Sequence, residues 1–216
     1  MSSPSPFGNT IGSVEHLREI YRAPTGLAIT KERSALDPAS MRFIERSRFA
    51  VVGTFDTEGR ADVSPRGGPI GYVRVVDANH LVIADFGGNN RLDTLQNVVL
   101  TGRIAAVFVV PGQNETVRVN GAAWITTEPD LLAGFDLPRV PKSAIGVRVE
   151  ATYIHCAKAF QRSGMWDPEV WADLSDAPDA SDILVCQGLV EMGADVMRGH
   201  LAEGYAQALA FEAGRD

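Results

Sequence analysis

The apolar period changes along the chain, and the order of those changes limits the fold more than any single motif. Runs rich in Val, Ile, Phe and Thr, each of strand length, occupy 48–55, 60–65, 72–76, 81–85, 103–110, 115–120, 122–127 and 145–155. Turn chemistry separates them: Asp56 to Gly59, Asp77-Ala78-Asn79 and Pro111 to Asn114. Gly121 reads as a break between two strands. One segment has a different period. Between Arg91 and Leu100, Leu92, Leu95, Val98 and Val99 fall at helical spacing. Short strands with one short helix inserted after the fourth, and then more strands, do not make the regular alternation of a doubly wound fold. They predict a mainly β chain closed, or partly closed, into a barrel.

Helices flank the strands. A Ser/Pro/Gly-rich, mobile start is predicted over residues 1–12. Ser13 is placed to cap a helix over Val14 to Arg22, which Pro24 stops. Asp37-Pro38 offers a second start, with Asp as cap and Pro in the first turn, for a helix reaching Ser47. Cys156 to Ser163 reads as helical, residues 164–179 as irregular, and Ser181 to Ala213 as one long or broken helix. The expected organisation is an N-terminal arm and helix over 1–30, a barrel domain over 31–160, and an irregular and helical segment over 161–216.

The formal net charge of −7 argues against a broad nucleic-acid surface, while leaving room for a small anion site. No apolar stretch approaches the roughly 20 residues of a membrane helix, and residues 1–10 do not resemble a signal peptide. Cys156 and Cys186 are expected to be reduced packing residues in a cytoplasmic protein.

Three constellations could carry chemistry. In Ser64-Pro65-Arg66-Gly67-Gly68, glycines permit close backbone approach, and Arg66 offers a planar fork suited to phosphate. A plain turn with a surface Arg fits the same residues. Gly87-Gly88-Asn89-Asn90-Arg91 precedes the inserted helix, where backbone N–H groups and the helix dipole favour an anion. Arg91 at a helix start is unfavourable unless an anion offsets it; an Asn-capped helix with a solvated Arg91 is the plainer reading. In Thr116-Val117-Arg118-Val119-Asn120-Gly121, alternation puts Thr116, Arg118 and Asn120 on one face. That stripe could line a ligand or face solvent.

Taken together, the segments SPRGGPIGYVRV, GNNRLDTLQN and ETVRVNG make the run from Phe49 to Gly121 resemble the pyridoxamine 5′-phosphate oxidase-like split-barrel superfamily. They are similar to an uncharacterised bacterial subgroup, whose tail is like His155 to Phe160 followed by Ser163 and Trp166-Asp167-Pro168. The resemblance covers about residues 30 to 170. It implies a six-stranded FMN-binding split β-barrel and a homodimer with two cofactor sites at its interface. It places Arg66, Asn90 and Arg91 near the FMN phosphate, and Ser64, Pro65, Gly67, Asp85 and Phe86 along the ribityl chain and ring. Thr116 would face the flavin from a neighbouring strand. Lys158, Arg162 and Trp166 would approach the ring from the second subunit. Arg118 or Lys158 would supply positive charge near the ring. The implied function is an oxidoreductase passing electrons between a reduced nicotinamide, or a small organic donor, and an acceptor.

The sequence also departs from that family. It lacks the longer basic loop and the C-terminal Arg-rich substrate motif of true pyridoxamine-phosphate oxidases; Met197-Arg198-Gly199-His200 is not that motif. Asn90 stands where many relatives carry a cation. Three other readings remain open: a deazaflavin (F420)-dependent reductase, a haem-binding or haem-degrading barrel with His155 or His200 as axial ligand, and a non-catalytic flavin-binding protein. His16, His80, His155 and His200 have no metal-ligand spacing, and no catalytic residue or metal site is assigned.

Overall fold

A computed structural model describes residues 6–215. Part of the mobile start predicted over residues 1–12, namely residues 1–5, lies outside the described residues. The chain parts between Glu32 and Arg33 into two compact units. The first holds α1 (Val14–Ile20) and a single turn, α2 (Leu27–Thr30). Ser13 caps α1 as its position predicts, its hydroxyl accepting from the His16 N–H at 3.1 Å.

The second unit opens with α3 (Pro38–Arg46). The Asp37 carboxylate accepts from the N–H groups of Ala39 and Ser40, and Pro38 occupies the first turn, where its missing donor costs nothing. Strands β1 (Phe49–Phe55) and β2 (Ala61–Gly67) then form a hairpin. Its tip is organised by Asp56, whose Oδ1 accepts from the N–H groups of Glu58 and Arg60 at 2.8 and 2.9 Å. The chain continues through β3 (Val73–Asp77), β4 (His80–Asp85), α4 (Asp93–Thr101), β5 (Arg103–Val109), β6 (Thr116–Thr126), α5 (Pro129–Ala133) and β7 (Ser143–His155). It ends with α6 (Lys158–Ser163), a 3-10 turn at Pro168–Val170, α7 (Ala180–Cys186) and α8 (Ala194–Glu212).

All strand pairings are antiparallel, in the order β2-β1-β5-β6-β7-β4-β3. Seven strands replace the expected six. Gly121 does not end a strand. It forms a bulge in one continuous β6, where the register against β7 shifts between Asn120 and Gly121. A side chain there would overlap the Arg148 carbonyl oxygen, so only glycine fits.

Residues from both halves of the strand order share one apolar core. Ala50 and Val52 of β1 join Phe108 of β5, Val119 of β6, Ile145 and Val147 of β7, Ile83 of β4 and Val73 of β3. Strands that lie far apart in the order can enclose a single core only if the sheet curls. The result is a barrel whose edge strands, β2 and β3, are not hydrogen-bonded to each other. Ile44 of α3 and Val98 of α4 complete the core.

Of the two forms left open for the C-terminal helix, the broken one is found, with the interruption at residues 187–193; α5 was not foreseen. One local reading needs correction. Cys156 and Cys186 are exposed, free thiols rather than packing residues, because both lie in the thinly packed C-terminal segment.

Candidate functional site

Strand register decides which way β2 points its side chains. Arg66 pairs with Ala50, Ser64 with Val52 and Asp62 with Thr54; all three β1 residues are buried. Directly opposed residues share a face. Asp62, Ser64 and Arg66 therefore face inward, while Pro65 and Gly67 face outward. The Arg66 Nη1 donates to Ser64 Oγ at 2.9 Å and to the Pro65 carbonyl at 3.3 Å. Its Nε is buried without a partner. A buried guanidinium N–H left unpaired is costly, so it marks a place where an acceptor fits.

The same inward face anchors α4. Asp62 Oδ2 accepts from the hydroxyls of Thr94 and Thr54 at 3.0 and 3.4 Å, and Asn97 Nδ2 donates to Thr54 Oγ1 at 3.0 Å. Thr54, Thr94 and Asn97 are buried, so this network fixes the helix start against the β1–β2 hairpin. Sequence reading did not find it, because its members are 8 to 43 residues apart.

The loop ahead of α4 is conformationally demanding. Asn90 (φ 58°) and Leu92 (φ 62°) both adopt the left-handed region without being glycine. Such positions cost about 1 kcal/mol or more each and tend to mark functional loops. The helix starts at Asp93 with no side-chain cap, so its first N–H groups keep their donor capacity. Arg91 precedes the helix instead of starting it. Its side chain is 77% exposed, and its Nε donates to the Asp93 carboxylate. The anion that offsets Arg91 is thus supplied by the chain itself.

A cleft of roughly 470 Å³ opens between β2, the end of β4 and this loop. Of the sequence-predicted residues, Pro65, Arg66, Gly67, Asp85, Phe86 and Asn90 line it. Gly87, Gly88 and Asn89 complete the loop side. Phe86 is set by close packing: a Cβ on Gly68 would lie 2.8 Å from its ring and 2.7 Å from Tyr72. Burial pushes the Asp85 carboxyl up from its ordinary value, and the Arg66 charge offsets part of that. Lys142 and Ser143 also line the cleft, and sequence reading missed them. They arrive through the pairing of β7 with β4, which sets Ser143 opposite Asp85. Ser64 sits beside the cleft as the acceptor for Arg66, and Arg91 lies outside its lining.

The remaining predicted residues lie elsewhere on the chain. Thr116 is buried at the start of β6, in one cross-strand row with Val109, Phe49 and Gly67. Arg118 lies two residues on, its Nη1 donating to the Tyr153 hydroxyl at 2.9 Å. Lys158 and Arg162 are on α6. Trp166 follows it, stacked on Phe160 and donating from Nε1 to the Gln113 carbonyl at 2.9 Å. None of these five lines the cleft within a single chain. His155 and His200 are exposed and outside it as well. Among the described residues, no three His, Cys, Asp or Glu side chains gather to hold a metal ion, and no helix is long and apolar enough to cross a membrane.

Comparison with known proteins agrees with this architecture. No curated protein matches the sequence. Solved structures similar to it include HupZ of Group A Streptococcus, at 20% identity over 55% of this chain and 93% of that one, with a TM-score of 0.44. Another is the conserved hypothetical protein Rv2991 of Mycobacterium tuberculosis, at 15% identity over 68% and 100%, with a TM-score of 0.45. A protein named as an F420 reductase matches at 16% identity over 54% and 98%, with a TM-score of 0.41. A family model described as pyridoxamine 5′-phosphate oxidase matches residues 36–156, more than half of the 216. The chain therefore belongs to the pyridoxamine 5′-phosphate oxidase family, and its β domain is a split barrel of that type.

Proposed function

We propose that the cleft binds FMN and that the protein is an FMN-dependent oxidoreductase acting on a small-molecule redox substrate. The observation that carries this reading is the convergence of Pro65, Arg66, Gly67, Asp85, Phe86 and Asn90 on one cleft. The residues fit the cofactor. The orphaned Arg66 Nε and the uncapped start of α4 offer donors for a phosphate. Phe86 and the Ala84–Asp85 backbone offer a partly apolar wall for a ring, and Ser64 and Asn90 suit a ribityl chain. Bound flavin supplies the electron transfer. The protein binds it, orients it and limits water around it. Asp85, short of water beside Arg66, is the group placed to hold a proton at the cleft wall.

The outer face of the sheet supports a homodimer. Phe49, Val51, Phe55, Val63, Val107 and Arg118 share that face by register. In the single chain Phe49, Phe55 and Val63 are 40, 45 and 68% exposed. An antiparallel sheet with a solvated face alternates apolar with polar residues, whereas this face is apolar too. A two-fold contact would cover it and bring Lys158, Arg162 and Trp166 of one subunit toward the cleft of the other. The test is an absorbance spectrum of the purified protein with and without added FMN, after removal of the excess. Retention of about one flavin per chain is expected. A protein that retains none would overturn the reading.

A further inference from the structure

The last turn of α8 lies against the rim of the cleft. A methyl group at Gly87 would sit 3.9 Å from the Glu212 Oε1. The neighbouring residue is fastened to the loop that leads into β7: Arg139 Nε donates to the Phe211 carbonyl at 2.5 Å, and the Arg139 guanidinium lies 4.1 Å from the centre of the Phe211 ring. Gly214 approaches Pro138 on the same loop. Lys142 and Ser143, a few residues further on, line the cleft themselves. The segment 211–214 therefore spans the two walls that meet at this rim, Gly87 on one side and residues 138–143 on the other. Lack of water around Glu212 pushes its carboxyl above the ordinary value.

We propose that the end of α8 is a specificity determinant of the cleft, excluding flavin ligands whose anionic part extends beyond a single phosphate. The inference rests on the reading of the cleft as a flavin site. Its physical basis is steric and electrostatic together. A dinucleotide must carry a second phosphate and a nucleoside past the strap, next to a carboxylate that repels it. At 4 to 6 Å such repulsion is substantial at low salt and is screened as ionic strength rises. Arg66 and Lys142 attract the first phosphate, whereas Glu212 acts on what lies beyond it.

The experiment compares FMN and FAD as probes, by fluorescence titration, on the full chain, on Glu212→Gln and on a chain ending at Ala210. Melting curves accompany each titration. The full chain is expected to prefer FMN. Glu212→Gln should raise FAD affinity about fivefold at low salt while FMN affinity changes less than twofold, and the gain should shrink at high salt. Removal of 211–216 should raise FAD affinity further. FAD affinity that stays unchanged in Glu212→Gln, with FMN still bound, would overturn the proposal. So would a parallel change in both flavins. A full chain that binds neither flavin would instead refute the flavin reading of the cleft. If the shortened chain melts early, Glu212→Gln alone decides the matter, since it keeps the size of a half-buried side chain and its own melting curve shows whether the fold is kept.

Discussion

Arg66 shows how far one side chain can be read in advance. Its type and its neighbouring glycines marked it in the sequence, but its direction came from strand register, which a single chain of letters does not display. The buried, unpaired Nε is the structural sign that it awaits an acceptor. Arg66→Ala is expected to weaken FMN binding by about 1.5–3 kcal/mol, with little change in melting temperature, as followed by flavin fluorescence. Affinity equal to the parent would remove Arg66 from the site. Arg91 teaches the opposite lesson. Its charge seemed to demand a foreign anion, yet Asp93, two residues later, already provides one. Gly68 was read as permitting close backbone approach or as part of a plain turn, but its constraint is contact: Tyr72 and Phe86 leave no room for a Cβ. Gly68→Ala should cost roughly 1–3 kcal/mol in urea denaturation, because neither ring has slack to move.

At the level of elements, caps and turns were legible because their chemistry is local. Asp37-Pro38, Ser13 and the Asp56 turn all lie where their hydrogen-bonding logic puts them. The failures are of a different kind. The β6 bulge depends on the approach of β7, and the entry of Lys142 and Ser143 into the cleft depends on the pairing of β7 with β4. The start of α4 is set by the Asp62, Thr54, Thr94 and Asn97 network, not by a cap. The junction of α7 and α8 gives a test by pH. Asp179 caps α7 and pairs with Arg198, whose hydrogen bond, with those of the backbone, lowers its carboxyl to about 2. A lowered folded value means the contribution is complete above the ordinary 3.8 and disappears as the pH falls through about 2. Asp179→Ala should therefore speed amide exchange across α7 at neutral pH, and the difference from the parent should shrink steadily as the pH falls through about 2. A difference that does not shrink would show the effect to be unrelated to ionisation.

For the molecule as a whole, the strand pattern was enough to indicate a barrel, since eight apolar runs and one inserted helix leave few other arrangements. The outer face required the register. Apolar residues on both faces of β1 could not be told from a fully buried strand until β2 and β5 were seen to flank it. Val63→Lys places a charge on that face, on the edge strand β2, while disturbing little inside the chain, because Val63 is 68% exposed. The proposed two-fold contact predicts that the parent is a dimer in light scattering at micromolar protein and that this variant is a folded monomer. A variant that stays dimeric would move the interface elsewhere.

The gap between β2 and β3 has a thermodynamic consequence. No ladder of hydrogen bonds crosses it, so the two margins of the sheet are joined there only through the core and the loop of residues 68–72. A ligand touching Arg66 of β2 and Asp85 of β4, the strand that carries β3, acts as a missing rung. Without it, the margins can loosen separately and the melting transition should be broad. With it, their unfolding becomes coupled, and calorimetry should record a narrower peak, with the van't Hoff enthalpy approaching the calorimetric one. The cofactor would then do more than raise the melting temperature. It would make the barrel unfold as a single cooperative unit.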